Sequence, residues 1–277
     1  MKNSVKQNNG RCGKWLLIVA LAFGVAAPAG AAVLSHGNST INIDENSQAG
    51  VNQWLVDGTQ TLNQQWLWYR IGSSSPEQSI NTIGAPTVTV ISPYSTRLVY
   101  TSPGLFDIQV TYTLQGGQLG SGTADLSEQI RINNLSANPL DFHLFLYSDF
   151  NLGNLPGGQN LSMSQNLLGK FNRATQAPGP ALLQQTIISP GASHGEAGVA
   201  GFTLGRLNDA VATTLNDNAN AVGDVTWAFQ WDSQIAAGGS FLVGADNRVV
   251  VPEPASIALA GLGLALLLGV ARRRRLG

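Results

Sequence analysis

The residues best suited to chemistry lie on one face of the segment 140–150. Alternate positions there carry polar or aromatic side chains: Asp141, His143, Phe145, Tyr147 and Asp149. In a β-strand all five would point the same way, and such a face could bind or hydrolyse a sugar. A glycosidase needs two carboxylates at a defined separation, and eight residues of strand place Asp141 and Asp149 about 26 Å apart. That pair is therefore excluded, and a solvated strand face is the simpler interpretation.

A second candidate is Glu128, which interrupts an otherwise apolar strand face. Its alternate neighbours are all apolar: Ala124, Leu126, Ile130 and Ile132. A buried carboxylate has a raised pKa unless it is paired, and it could act as an acid or a ligand. A bulge, an edge position or a local ion pair explains the same pattern without a function. We therefore treat Glu128, Asp141 and His143 as a speculative ligand face and predict no catalytic residue.

Metal and cofactor sites are not predicted by the remaining motifs. The three histidines (His36, His143 and His194) lack the spacing of a zinc site. The loop 216–224 is rich in Asn and Asp and could hold Ca²⁺, but it lacks the residue order of an EF-hand loop, so a plain turn is the simpler interpretation. The sequence contains no P-loop, dinucleotide motif or nucleophile elbow. We therefore predict no metal and no cofactor.

Charge is scarce and unevenly distributed along the chain. Only 11% of the 277 residues are charged, against about 25% in typical domains. Between residues 33 and 251 there are seven basic and 15 acidic residues, so this part carries a net charge of about −8. Nucleic-acid binding needs clustered Lys and Arg, and the acidic body therefore argues against a nucleic-acid partner.

The N-terminus has the three parts of a secretory signal. Basic residues precede an apolar run at 15–27, and small residues follow it at 28–32. The run is short for a membrane span but typical of an export signal. We predict a signal peptide over 1–32, with cleavage after Ala31 or Ala32. The single cysteine, Cys12, precedes the apolar run, so the exported chain would contain no disulfide.

The C-terminus has three parts of its own. Pro252, Glu253 and Pro254 come first, an uncharged apolar segment follows at 255–271, and Arg272, Arg273, Arg274 and Arg275 close the pattern. Seventeen residues make about 26 Å of helix, which is just enough for a thin bilayer. The arginines would hold that end in the cytoplasm. We predict a tail over 251–277 with a transmembrane helix at 255–271; a simple tail anchor is the alternative.

This tail closely resembles the PEP-CTERM sorting signal of Gram-negative bacteria. The resemblance implies recognition by an exosortase-type membrane protease and transient insertion of the C-terminal helix into the inner membrane. It also implies a membrane-anchored precursor that is then passed to the cell surface or extracellular matrix.

The segment 33–250 reads as one β-rich ectodomain. Apolar and polar residues alternate over 106–115 and again over 124–133, with a Gly-rich turn between them, which predicts a long hairpin. Frequent Gly and Pro turns separate further short strands, and a short helix is predicted only at 208–215. We expect an all-β, antiparallel β-sandwich, either jelly-roll-like or Ig-like, with an N-terminal signal helix and one C-terminal transmembrane helix.

The predicted function follows from export and from this uncharged surface. We expect a structural or adhesive protein of the biofilm or exopolysaccharide matrix that is not an enzyme. The alternative is a secreted carbohydrate-binding module or an enzyme that acts on exopolysaccharide. A cleft that holds Glu128 or His143 beside a second carboxylate would favour the alternative.

Overall fold

The structure, a computed structural model, describes residues 31–152 and 157–251. One sheet contains β1 (Ala32–His36), β2 (Ser39–Asp44), β3 (Gly50–Val56), β4 (Thr59–Ile71), β5 (Gln78–Ser79), β10 (Leu140–Phe150), β14 (His194–Val199) and β16 (Val225–Ile235). The other contains β6 (Thr87–Ser92), β7 (Ser95–Ser102), β8 (Phe106–Gly116), β9 (Thr123–Asn134), β11 (Gln159–Gln165), β12 (Phe171–Ala177), β13 (Leu182–Ser189), β15 (Asn220–Gly223) and β17 (Ser240–Val250).

The strands of each sheet are antiparallel and mostly out of chain order. The first sheet runs β1-β2-β3-β4-β10-β16-β14, with β5 also beside β4, and the second runs β15-β11-β12-β13-β17-β9-β8-β7-β6. The predicted antiparallel β-sandwich is therefore confirmed. Within the described residues the sheets have eight and nine strands, so each is about as large as a whole Ig-like or jelly-roll sandwich.

Period-two alternation explains why these segments form two-faced strands. Along β8 and β9 alternate residues are buried, all of them apolar except Glu128 and Asn134, and the two strands pair from Phe106↔Asn134 to Gly116↔Ala124. This is the hairpin that the sequence predicted. Aromatic rings fill the space between the sheets: Phe106 packs edge-on against Phe142 at 5.5 Å, and Phe150 stacks on Trp227 at 5.5 Å.

The predicted helix at 208–215 is wrong. A short helix, α1, lies just before it at Phe202–Leu207, and a 3₁₀ helix lies at Ile80–Ile83. Backbone N–H groups of the predicted segment donate instead to side chains: Thr213 to the Glu77 carboxylate and Leu215 to Gln230. These bonds to neighbouring elements compete with the i→i−4 bonds that a helix would need.

The two predicted terminal helices lie outside the described residues. The signal helix falls before residue 31, and the C-terminal transmembrane helix at 255–271 falls after residue 251. No helix within 31–152 and 157–251 is long and apolar enough to cross a membrane.

The first strand favours one of the two predicted cleavage positions. The backbone N of Ala32 donates to Glu45 Oε2 at 3.3 Å, and Glu45 is only 3% exposed. Cleavage after Ala31 would turn this N–H into an ammonium group beside the buried carboxylate of Glu45. The positive charge of the ammonium group would then stabilise the carboxylate. We expect N-terminal sequencing of the exported protein to begin at Ala32. A chain that begins at Val33 would contradict this assignment.

Candidate functional site

The outer face of the first sheet carries the polar side chains of β10. Phe142 packs against the second sheet, and Ser148 donates to Gln185 of that sheet at 3.2 Å, so the even-numbered residues point into the sandwich. Because side chains alternate along a strand, Asp141 and His143 point outward. The speculative face of the sequence analysis therefore exists for these two residues.

Strand pairing brings Asp232 to His143, and Asp232 in turn links it to His194. Its Nδ1 lies 2.5 Å from Asp232 Oδ1, and the other oxygen of Asp232 lies 3.6 Å from His194 Nε2. Asp141 lies 3.6 Å from Nε2 of His143, and Asp217 lies 3.1 Å from Nδ1 of His194. Acids and imidazoles thus alternate across three strands and one loop. We call this set the acid–imidazole chain: Asp141, His143, Asp232, His194 and Asp217.

The sheet register sets this arrangement. His143 of β10 is paired with Asp232 of β16, and His194 of β14 is paired with Gln230, two residues from Asp232. Gln230 Nε2 donates to Asp232 Oδ1 at 2.7 Å, which fixes the carboxylate between the two imidazoles. Asp217 has φ = 62°, a left-handed conformation that Asp tolerates better than most residues, and it accepts the N–H of Gly195.

The electrostatics of the chain keep its central carboxylate charged. Burial raises the pKa of Asp232, but hydrogen bonds from His143 and Gln230 and the two nearby imidazoles outweigh burial, so the pKa lies below its ordinary value. The side chains of Asp232 and His194 are about one-third exposed, whereas that of His143 is 12% exposed. A ligand can therefore reach the chain from solvent at Asp232 and His194, whereas Nε2 of His143 is buried.

A buried ion pair forms the wall beside His143. Arg70 of β4 is paired with His143 in the sheet. Its Nη1 lies 3.0 Å from Glu77 Oε1 and 3.0 Å from the carbonyl oxygen of Thr213. The backbone N of Thr213 donates to the same carboxylate at 2.9 Å. The pair therefore holds the segment after α1 against the outer face of the sheet.

A polar cavity lies on the far side of this ion pair. Its volume is about 650 Å³, and its lining is made of hydroxyl, amide and carboxyl side chains: Ser47, Gln48, Glu77, Gln78, Ser79, Asn81, Thr82 and Asn208. Glu77 is the one charged residue of this lining and is already paired with Arg70. The other lining groups are neutral, and some already accept hydrogen bonds within the protein, such as Ser79 from Trp66 and Asn208 from Trp68.

Glu128 lies elsewhere, between the two sheets. It is 2% exposed, its Oε1 accepts from Asn247 Nδ2 at 2.9 Å, and its Oε2 has no hydrogen-bond partner. Burial raises its pKa to about 8, although the bond from Asn247 opposes this rise. The structure therefore brings Asp141 and His143 together but separates Glu128 from them.

The sequence did not connect Asp232, His194 and Asp217 with His143, although His194 was considered for zinc and the loop that contains Asp217 for Ca²⁺. Their partners lie 89 and 23 residues away along the chain, so no local spacing marks them. The pairing of β16 with β10 and of β14 with β16 is the information that would have identified them. No group of three or more His, Cys, Asp or Glu side chains within 31–152 and 157–251 is arranged to hold a metal ion.

Comparison with protein families identifies the C-terminal segment. Residues 250–275 match the sequence model of the PEP-CTERM protein-sorting motif. The chain carries a PEP-CTERM sorting motif. This match confirms the resemblance of Pro252, Glu253, Pro254 and the arginines at 272–275. It supports an exported protein with a membrane-anchored sorting precursor that an exosortase recognises.

The body is similar to solved structures of sugar-related proteins. A bacterial glucoamylase complexed with acarbose matches with a TM-score of 0.58 and 11% identity, over 86% of this chain and 36% of that chain. A protein of Escherichia coli K12 assigned as an aldose 1-epimerase matches with a TM-score of 0.53 and 12% identity, over 79% and 98%. A galactose mutarotase-like protein of Lactobacillus casei gives 0.51 and 10%, over 79% and 100%. No curated protein sequence matches the chain significantly.

These likenesses correct the prediction that the protein is not an enzyme. At 10–12% identity they show the fold, and the fold is one shared with proteins named for sugar chemistry. The chain spans about a third of the glucoamylase but nearly the whole of the two smaller proteins. At this identity the likeness shows the fold alone.

Proposed function

We propose that the protein is an exported enzyme that acts on saccharides by proton transfer, with the acid–imidazole chain as its site. The observation that carries this proposal is the Asp232 carboxylate held between His143 and His194. The shared fold with an aldose 1-epimerase and a mutarotase-like protein supports a saccharide as substrate. The sorting motif supports action at the cell surface or in the exopolysaccharide matrix.

The reaction that the geometry supports best is the interconversion of sugar anomers. A base takes the proton of the anomeric hydroxyl, a C=O bond forms at C1, and the bond from C1 to the ring oxygen breaks. An acid gives a proton to the ring oxygen, and closure on the opposite face of C1 completes the exchange. This reaction needs one acid and one base, and the linked imidazole and carboxyl groups of the chain are side chains that take both roles in enzymes.

Hydrolysis of a glycosidic bond fits the chain less well. It requires one carboxyl group that stays protonated and a second that is ionised. The pKa of Asp232 lies below its ordinary value, so the central carboxyl of the chain is a poor proton donor. The imidazoles remain the better acid and base, and this favours anomer interconversion.

The polar cavity supports binding of an uncharged saccharide. Its volume of about 650 Å³ lies within the range of about 300–1,000 Å³ that small-molecule sites occupy. Its amide and hydroxyl groups can donate to and accept from sugar hydroxyls. Glu77 lines this cavity and is paired with Arg70, the strand neighbour of His143.

Polarimetry of the mature protein tests the proposal. Freshly dissolved α-anomers of common aldoses should reach anomeric equilibrium faster with the protein than in buffer. Replacing His194, the more exposed imidazole of the chain, by Gln should lower the catalysed rate by about 10²–10⁴-fold, the range for loss of a general acid or base. Asp232→Asn should also lower it, because the carboxylate that lies between the two imidazoles is lost.

The third histidine provides a matched control. His36 is hydrogen-bonded to the backbone of Gly116 and lies outside the acid–imidazole chain. His36→Gln should leave the catalysed rate unchanged. A wild-type rate equal to buffer across free aldoses and reducing oligosaccharides would overturn the enzymatic proposal, and retained saccharide binding would then indicate a binding module.

A further inference from the structure

One end of the second sheet is an open strand edge. β6 is paired with β7 on one side and, within the described residues, with no strand on the other. The ends of the first sheet are hydrogen-bonded to loops: Ser35 of β1 donates its N–H to the carbonyl oxygen of Pro93. Ala197 of β14 donates its N–H to the carbonyl oxygen of Asn218. An open edge presents N–H and C=O groups that can pair with another strand.

The composition of this edge favours pairing. Five consecutive residues of β6 are β-branched: Thr87, Val88, Thr89, Val90 and Ile91. All five are exposed, and Val90 is 74% exposed. Native sheets commonly protect an edge with charged side chains, and none of these five residues is charged. β-branched residues are enriched in paired strands, so this edge resembles a strand that has neighbours on both sides.

Two prolines limit which part of the edge can pair. Pro86 precedes the five residues, and Pro93 follows shortly after them. Proline has no N–H to donate to a ladder. The ladder is also irregular between Val90 and Ser92 of β6. The segment available for pairing is therefore 87–91, and Thr89 lies at its centre.

The backbone orientation agrees with a pairing centred on Thr89. The hydroxyl of Thr96 in β7 donates to the carbonyl oxygen of Thr89 at 3.2 Å, so the backbone of Thr89 faces β7. Successive residues of an antiparallel strand present their N–H and C=O groups to opposite edges. The backbone groups of Val88 and Val90 therefore face the open side.

We propose that two copies of the mature chain pair through β6, antiparallel and in register about Thr89. Val88 of each copy then lies opposite Val90 of the other, and the two can exchange both backbone hydrogen bonds. Thr89 lies opposite Thr89 of the other copy, and Thr87 lies opposite Ile91. Every such pair joins two β-branched side chains on the same face of the sheet, and side-chain pairs of this kind stabilise antiparallel strands.

The lack of charge is what fits this edge to its own copy. A two-fold axis brings identical residues close together, and like charges opposite each other destabilise a strand pair. The pairing stops at two copies, because both use the same edge. Five-residue strands bury far less than the standard interface of about 1,600 Å². We therefore expect weak association, with a Kd of about 10⁻⁵–10⁻³ M.

The pairing has a consequence for the tail. A two-fold axis between antiparallel strands stands perpendicular to the sheet, so it reverses every strand direction in the second copy. β17 runs parallel to β6, since β9, β8 and β7 separate them through antiparallel steps. β17 leads directly into the sorting motif. The two tails of a pair would therefore leave in opposite directions, which suits chains released from the membrane rather than neighbours anchored in one bilayer.

Sedimentation velocity of the mature protein from about 10 µM to about 1 mM tests this proposal, because the range brackets the expected affinity. The wild type should show a monomer–dimer equilibrium. Thr89→Lys and Thr89→Glu should each weaken association about tenfold or more, because like charges then face each other. An equimolar mixture of the two variants should dimerise again. Gln129→Lys should associate like the wild type, because Gln129 is exposed on β9, an interior strand of the same sheet.

Three results would overturn the proposal. The first is a wild type that stays monomeric at about 1 mM, the weak end of the expected affinity. The second is undiminished association of Thr89→Lys, which would place the interface elsewhere. The third is open-ended polymers, which a closed pairing of two edges excludes. Because association is measured without a sugar, these outcomes are independent of the proposed enzymatic activity.

Discussion

Replacing Glu128 by Gln should remove most of the pH dependence of stability between pH 5 and pH 8. The folded-state pKa of Glu128 is about 8, against an ordinary value of 4.5, because burial disfavours its charged form. The folded protein therefore binds this proton more tightly than the unfolded chain does. The free energy of unfolding should fall as the pH rises from about 4.5 to about 8, and stay low above that.

The size of this effect sets how it can be measured. Each pKa unit corresponds to about 1.4 kcal/mol, so the full shift of Glu128 corresponds to an upper limit of about 5 kcal/mol. Relaxation around the charged form reduces it, and we expect a fall of about 2–5 kcal/mol in the wild type. Urea unfolding at pH 5, 6.5 and 8.5 measures it directly.

Glu128→Gln keeps the shape of the side chain and cannot ionise. Its amide can still meet Asn247, so the variant should be more stable than the wild type at pH 8.5. The exposed Asp209→Asn variant should keep the wild-type slope. Equal slopes for Glu128→Gln and the wild type would show that another group causes the pH dependence.

Replacing Arg70 by Met should destabilise the protein by about 3–5 kcal/mol, the cost of removing one partner from a buried ion pair. The Glu77 side chain is fully buried, and burial already raises its pKa although the charge of Arg70 opposes this rise. Without Arg70 it must either stay charged with no cation beside it or take up a proton, and both cost stability. Urea unfolding measures the loss. Limited proteolysis should cleave the segment 208–215 faster, because Arg70 also donates to the carbonyl oxygen of Thr213.

Two comparisons separate the charge effect from the loss of packing. The double variant Arg70→Met, Glu77→Gln should recover part of the stability, because no buried charge remains unpaired. Arg248→Met breaks a pair with Asp125 at 4.0 Å in which the arginine is 60% exposed, and it should cost less than about 1 kcal/mol. Equal costs for Arg70→Met and Arg248→Met would contradict the buried-pair interpretation.

The sequence predicted which face of each strand is buried better than it predicted which strands lie side by side in a sheet. The alternation along 106–115 and 124–133 was sufficient for the β8–β9 hairpin, because a hairpin pairs segments that are adjacent in the chain. The same alternation placed Asp141 and His143 on one face. It carried no information on which distant strand lies beside them, and β10 is flanked by β4 and β16.

The candidate site depends on that missing information. Asp232 reaches His143 only because β16 pairs with β10, and His194 joins them only because β14 pairs with β16. For Glu128 the pattern indicated the buried face correctly. Its partner Asn247 comes from β17, which lies beside β9 in the sheet but more than a hundred residues later in the chain.

The position of β17 determines how the body would respond to mechanical load. This strand lies between β13 and β9 and is hydrogen-bonded to both. Its extension ends at Val251, whose N–H donates to Gly122, immediately before Pro252 of the sorting motif. A pull applied to the tail therefore acts along the axis of an interior strand. Because the bonds of antiparallel ladders lie across that axis, they resist in shear and share the force, whereas an edge hairpin would unzip one bond at a time.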